Sequence, residues 1–171
     1  DEPVWSNPYG DASEDAWYFD AVEYVSQAGL MKGIAEGTFA PGIQGSRGMF
    51  ATILARLAGV DTENGATWYE KGMAWAVEQN ISDGTAPEGG ITREQAVTML
   101  YRYAGSPAVS GDHLADFADA GAVSDWALAA MNWAVSVGLI EGGDAGLAPQ
   151  NGATRVELAA MFARFDAIKN A

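Results

Sequence analysis

A pattern of aromatic and turn residues recurs three times along the chain in constant register, which limits the fold to a small set of repeat architectures. Trp17, Trp68 and Trp126 are each followed seven positions later by Tyr24, Trp75 or Trp133. Twelve positions after each first tryptophan stands Gly29, Asn80 or Gly138, and then Leu30, Ile81 or Leu139. Gly and Asn accept the left-handed conformation just past a helix end, so these positions read as helix stops. Between anchors and stops the apolar residues keep helical spacing, as in Val22, Val25 and Ala28 or Met131, Ala134 and Val137. Each copy is predicted to open with a helix of about three turns.

Beyond each stop a turn-rich loop reaches Pro41, Pro87 or Pro149, and six positions further on stands Arg47, Arg93 or Arg155. The residue before each arginine is Ser46, Thr92 or Thr154, a good helix N-cap, and Gln95 and Glu157 complete a capping box in the second and third copies. A second helix is predicted to start there. Its core-facing stripe runs through Phe50, Ile53, Leu54 and Leu57, with counterparts at Ala96, Met99, Leu100 and Tyr103 and at Leu158, Met161, Phe162 and Phe165. No stretch alternates as a strand would. The predicted fold class is all-α, with repeats at residues 1–60, 61–110 and 111–171. Neither helix of a repeat can bury its apolar stripe alone, so the three are expected to pack as one compact pseudo-threefold body.

Composition narrows the function. The 171 residues carry 49% hydrophobic and 19% charged side chains, enough for an ordinary globular core. There is no cysteine for a disulfide or thiolate metal site. No apolar run is long enough to cross a membrane, and the chain begins without a signal peptide's basic start and apolar stretch, the pattern of a mature or excised piece if the protein is exported. A formal net charge of −14 opposes binding to nucleic acid or to an anionic membrane surface.

The repeated residues resemble the S-layer homology family: an aromatic-x-Asp lead, a Trp-anchored first helix, a Gly-Thr-Phe-x-Pro loop and a Thr-Arg-x-Glu start to the second helix. Repeat one carries Gly37-Thr38-Phe39-Ala40-Pro41 and Ser46-Arg47, and repeat two carries Ile91-Thr92-Arg93-Glu94. Repeat three carries Phe117-Ala118-Asp119, Leu147-Ala148-Pro149 and Thr154-Arg155-Val156-Glu157. The resemblance implies a three-pronged spindle around a central helical bundle, in an extracellular protein of the cell wall or S-layer. It further implies a non-catalytic anchoring module whose inter-repeat grooves bind a secondary cell-wall polysaccharide, often through a pyruvylated amino sugar. Repeat one departs from the motif at Gly48-Met49, and repeat two shortens its loop to Asp83-Gly84-Thr85-Ala86-Pro87. Unequal grooves are therefore expected.

Basic charge is placed, not scattered. Of nine Lys and Arg, six fall at two repeated positions: Arg47, Arg93 and Arg155, and nine residues later Arg56, Arg102 and Arg164. The later set lies toward helix C-termini, where the dipole favours a cation by roughly 0.3–1 kcal/mol, and a structural role suffices. The earlier set sits at helix N-termini, where a cation is disfavoured and free N–H groups attract anions. Two compensations are open and can coexist: a carboxylate from Asp11, Asp61 or Asp119, or an anionic ligand gripped by the guanidinium. Trp17, Trp68 and Trp126 read first as core at helical spacing, with stacking on sugar as the other reading. Arg47, Arg93 and Arg155, with Asp11, Asp61 and Asp119 and with Trp17, Trp68 and Trp126, are the candidate ligand-binding set.

No catalytic residue, metal ligand or cofactor is predicted. No acidic pair stands out as a hydrolase dyad, and His113 has neither a second His nor a nucleophile beside it. Asp11, Glu14 and Asp15, and Asp112, Asp116 and Asp119, lack EF-hand spacing. The rival reading is a protein-interaction module of a cell-surface protein with lost or altered glycan binding. Arginines closed by Asp partners would favour that rival; arginines lining open grooves would favour an anionic sugar.

Overall fold

The computed structural model describes residues 5–140 and 146–169. Six α-helices occupy these residues: α1 Phe19–Gln27, α2 Arg47–Leu57, α3 Glu70–Glu78, α4 Arg93–Tyr103, α5 Leu128–Ser136 and α6 Arg155–Lys169. Two single 3-10 turns, Ala120–Ala122 and Asp125–Ala127, lead into α5. Among the described residues the only strand-like pairings are isolated bridges, so the all-α class stands.

The helix stops follow the sequence signals. Gly29, Asn80 and Gly138 have φ of 71°, 59° and 80°, and the next residue's N–H turns back to the last turn, as in Leu30 N–H to the Val25 carbonyl at 2.9 Å and Ile81 to Ala76 at 2.8 Å. That bond satisfies a carbonyl the helix would leave orphaned. Ser46 Oγ accepts from Met49 N–H at 3.1 Å, and Thr92 and Gln95 form a reciprocal capping box. Thr154 N–H donates to Glu157 Oε1 at 3.2 Å in the same manner.

The segments leading into α2, α4 and α6 join in a ring. Gly45 N–H donates to the Ala153 carbonyl at 2.7 Å, Ala153 to Ile91 at 3.0 Å, and Ile91 back to Gly45 at 2.9 Å. The first helical N–H of each inner helix extends the pattern: Arg47 to Gly89, Arg93 to Asn151 and Arg155 to Ile43, at 2.8–3.0 Å. The second N–H bonds the proline carbonyl of the same neighbouring loop, Gly48 to Pro87 at 2.7 Å, Glu94 to Pro149 at 3.0 Å and Val156 to Pro41 at 3.3 Å.

Around this hub, helix packing crosses the sequence repeats. The outer helices α3 and α5 lie on α2 and α4 of the preceding repeat, and α1 closes the circuit against α6. The inner helices meet through Phe50 and Phe162, ring centroids 4.9 Å apart, and through Tyr103 and Phe165 at 6.1 Å. Phe50, Leu54, Leu100, Leu158 and Phe162 are fully buried there. Each such side chain contributes roughly 1.5–3 kcal/mol by leaving water. No repeat can keep that contribution in isolation, because its outer helix packs on a neighbour.

Candidate functional site

Two grooves open beside the inner helices, built on one plan. The groove over α2 has a volume of about 470 Å³. Leu30, Met31 and Lys32 form one side of it, Met49, Thr52, Ile53 and Arg56 of α2 form the floor, Trp68 comes from the next repeat, and Arg155 comes from α6. The groove over α4 is about 320 Å³. Its side is Ile81, Ser82 and Asp83, its floor is Gln95, Thr98, Met99 and Arg102, its tryptophan is Trp126, and its N-terminal arginine is Arg47 of α2. Volumes of this order suit a small ligand. All three repeats contribute to each groove. The equivalent positions beside α6 would take Trp17 and Arg93, but the loop after α5 falls partly on residues 141–145, outside the described residues.

The tryptophans are not core. Trp17, Trp68 and Trp126 are 68%, 53% and 54% exposed, because α1 and α3 begin two residues after Trp17 and Trp68 and Trp126 lies in a 3-10 turn ahead of α5. Helical periodicity does not extend to them. The core face is carried instead by Val22 and Val25, Met73 and Ala76, and Met131 and Ala134. Trp68 and Trp126 present partly open indoles at the groove walls, and each of Trp17 and Trp68 stands edge-on to the tyrosine after it, centroids 5.5 and 5.1 Å apart.

The arginines reach across to the proline loop of the neighbouring repeat. Arg155 Nε donates to the Phe39 carbonyl at 2.8 Å and a terminal nitrogen to the Lys32 carbonyl, while its guanidinium lies 4.8 Å from the Phe39 ring centroid. Arg93 Nε donates to the Leu147 carbonyl at 3.0 Å, and Nη1 pairs with Glu157 at 3.3 Å. Arg47 Nη1 donates to Thr85 Oγ1 at 3.1 Å, leaving its buried Nε without a partner among the described residues. Arg155 is 5% exposed, and no carboxylate lies within ion-pair distance of it among the described residues. Burial pushes its pKa below the ordinary guanidinium value, yet an arginine remains cationic at neutral pH.

Two expectations about these arginines are corrected. The leading aspartates do not orient them. Asp11 accepts from Phe39 N–H at 2.8 Å and Ala40 N–H at 2.9 Å, and Asp119 does the same for Leu147 at 3.0 Å and Ala148 at 2.8 Å. These carboxylates hold Ala40 and Ala148 at φ of 61° and 46° just before a proline, a conformation that costs an alanine about 1 kcal/mol. Asp61 pairs with Lys71 at 3.8 Å, and in the second repeat it is Asp83 Oδ1 that accepts from Thr85 N–H, at 2.9 Å. Nor are the helix N-terminal N–H groups free for an anion: the first two bond neighbouring carbonyls and the third bonds the cap side chain. Anion recognition here has to come from cationic side chains, not from these N–H groups.

Sequence reasoning passed over several groove residues. Arg56 and Arg102 donate to the Leu30 carbonyl at 3.0 Å and the Ile81 carbonyl at 3.1 Å, in the loops just past α1 and α3, and both loop residues and the arginines line the grooves. Their constant register with the N-terminal series was the signal available. Glu94, one residue short of the capping-box position that Gln95 fills, is 3% exposed. It accepts from Ser124 N–H at 2.9 Å and Ser124 Oγ at 2.6 Å, tying α4 to the turn that carries Trp126. Among the described residues no cluster of His, Asp or Glu could hold a metal ion, and no helix is long and apolar enough to cross a membrane.

The six helices, with aromatic and guanidinium groups in the grooves between repeats, define a helical repeat module. Residues 8–42 and 116–159 match the S-layer homology domain, and the chain belongs to that family. It is similar to the surface-layer 125 kDa protein of Lysinibacillus sphaericus, 32% identical over 85% of the chain and 14% of that protein. It also resembles the S-layer protein sap of Bacillus anthracis, 25% identical over 92% of the chain and 21% of that protein. The exoglucanase XynX of Acetivibrio thermocellus is 25% identical over 87% of the chain and 15% of the enzyme. The chain thus spans about a fifth or less of the length of these relatives.

Proposed function

We propose that this module anchors its parent protein to the bacterial cell wall by holding a secondary wall polysaccharide in the inter-repeat grooves, with an acidic terminal amino sugar, such as a pyruvylated one, in the groove that Arg155 lines. The module itself is a non-catalytic anchor, and its recurrence in S-layer proteins and in a glucanase fits an attachment device shared by unlike cargoes.

The observation that carries the acidic-sugar reading is Arg155. A guanidinium 5% exposed, without a carboxylate partner among the described residues, lines a groove walled by the half-open indole of Trp68. A buried cation answered at hydrogen-bond distance by carbonyl oxygens and not by a carboxylate keeps an uncompensated charge, which an incoming carboxylate offsets while the sugar face packs on the indole. The rival reading, a protein partner, has less support at Arg155, because Asp11 is spent on loop N–H groups and it is Arg93 that an internal carboxylate, Glu157, pairs.

The test is retention on purified wall polymer with and without its pyruvate groups, for the whole chain and for Trp68→Ala and Arg155→Lys. Strong retention of the acidic polymer, clearly weakened on removing pyruvate, is the expected result. Equal retention of both forms, or none of either, sinks this reading.

A further inference from the structure

We infer that the two grooves select sugars by charge: the groove over α2 takes an acid-bearing sugar, the groove over α4 takes one without an acid group, and the position shared by Lys32 and Asp83 sets the choice. This rests on the glycan-binding reading and adds to it a division of labour between sites of one frame.

The frame is common to both. Arg56 and Arg102, Thr52 and Thr98, and Trp68 and Trp126 occupy matching places. Three other places differ together. Met31, Lys32 and Met49 of the first groove are replaced by Ser82, Asp83 and Gln95 in the second. One wall set is apolar around a cation; the other is polar around an acid.

Counter-charge follows the same division. In the α2 groove no carboxylate lies within ion-pair distance of the buried Arg155 among the described residues, Asp11 acting on it only from further off, and Lys32 joins Arg155 and Arg56 as a third cation at the mouth. Glu63 does approach Lys32 at 3.7 Å and Arg56 at 4.0 Å, but the Lys32 and Glu63 side chains are 72% and 62% exposed. Water and salt screen such a rim pair, whereas a buried cation is screened far less. An acid group carried on an apolar carbon fits these surroundings, its charge on Arg155 and its carbon against Met31 and Met49.

In the α4 groove the N-terminal arginine, the counterpart of Arg155, is already answered. Arg47 Nη1 donates to Thr85 Oγ1 at 3.1 Å, and that hydroxyl donates to Asp83 Oδ1 at 2.7 Å. The Thr85 N–H also reaches Asp83 Oδ1, at 2.9 Å. The hydrogen bond from the Thr85 hydroxyl, then that from its N–H, hold the Asp83 carboxyl below the usual carboxylate range, so it is charged at neutral pH. An acidic sugar here meets like charge, while sugar hydroxyls and amides find an acceptor in Asp83 and donors in Arg47 and Gln95.

The two grooves carry different tryptophans, so the indole N–H resonances of Trp68 and Trp126, assigned with Trp→Phe variants, report each site separately. The probes are the methyl glycoside of N-acetylmannosamine and the same glycoside bearing a pyruvate ketal. The ketal sugar is expected to shift Trp68 and the plain sugar Trp126. Asp83→Asn keeps the acceptor for Thr85 and removes the charge, and is expected to raise ketal-sugar affinity at Trp126 by at least roughly threefold. Lys32→Asp, at an exposed position, is expected to weaken it at Trp68 by a similar factor. Equal shifts of both indoles by the ketal sugar, or no response to Asp83→Asn, overturn the charge division and leave the anchoring function standing. Failure of both sugars to move either indole overturns both.

Discussion

The side-chain amide of Gln44 donates to the Ile91 carbonyl at 2.8 Å, and the same nitrogen lies 3.0 Å from the Gly45 carbonyl and 3.1 Å from that of Ala153. Those are the three carbonyls of the hydrogen-bonded hub. Gln44 therefore plugs the ring with one nitrogen, and the matching residues of the other repeats are Gly90 and Gly152, where a Cβ would crowd or strike the Gln44 side chain. Only one repeat can supply the plug, and the other two have to leave room for it.

Removing that plug should loosen the hub without changing the helices. Gln44→Ala is expected to cost about 0.5–1.5 kcal/mol, the net worth of a solvent-accessible hydrogen-bonded group. Gln44→Lys places three donors opposite three carbonyls and should unfold at a denaturant concentration no lower than wild type. Urea titrations followed by circular dichroism check both; a Lys variant as weak as the Ala variant would show that the carbonyls do not need the donor.

Arg155 and Arg47 occupy the same repeat position but should differ in structural weight. Arg155 is buried and holds the Phe39 and Lys32 carbonyls, so Arg155→Ala strips charge-assisted bonds and is expected to destabilise by about 2–4 kcal/mol. Arg47 is only partly buried and bonds a single exposed threonine, its hydroxyl at 3.1 Å and its carbonyl at 3.5 Å, so Arg47→Ala should cost under about 1 kcal/mol. Thermal melts of the two variants test the ranking, and equal losses would contradict it.

Glu94 is a lock between α4 and the Trp126 turn. Glu94→Ala leaves the Ser124 hydroxyl and N–H short of their acceptor, while the Gln150 amide keeps the Ala122 carbonyl, at an expected cost of about 1–3 kcal/mol. Because the lock sits beside one groove, the indole of Trp126 should become more mobile while Trp68 is unaffected. Fluorescence anisotropy of chains retaining one or the other of these groove tryptophans distinguishes this local loosening from global unfolding.

Local rules reached the helices because their signals are local. Gly29, Asn80 and Gly138 stop helices through their own backbone freedom, and Ser46, Thr92 and Thr154 start them through a bond three residues away. What periodicity could not supply was the partner of each surface. Trp17, Trp68 and Trp126 fit a helical count, yet the helices begin after them. The arginines were correctly tied to helix N-termini, but their N–H neighbours are consumed by Pro41, Pro87 and Pro149 carbonyls from other repeats. Those bonds join residues roughly forty to over a hundred positions apart, beyond the reach of any capping rule. The Lys32 and Asp83 contrast was visible as letters, but only the shared groove makes them equivalent.

The loop aspartates should give the fold a defined acid limb. Hydrogen bonds from Leu147 and Ala148 hold the Asp119 pKa below its ordinary value of 3.8. At Asp11 burial pulls upward, but the bonds from Phe39 and Ala40 outweigh it and the net direction is also down. A carboxyl whose folded pKa is depressed contributes stability that is present above its unfolded pKa and lost as pH falls through the folded value. Protonation removes the acceptor charge that holds Ala40 and Ala148 in their left-handed conformation, so the proline loops release. Asp119→Asn should therefore be less stable than wild type by a constant margin from about pH 7 to about pH 5. That margin should narrow below the ordinary carboxylate value and vanish once the wild-type group is protonated. Urea midpoints measured across this range for wild type, Asp119→Asn and Asp11→Asn provide the check, and a margin that persists unchanged in strong acid would mean that the carboxylate charge is not what holds the loops.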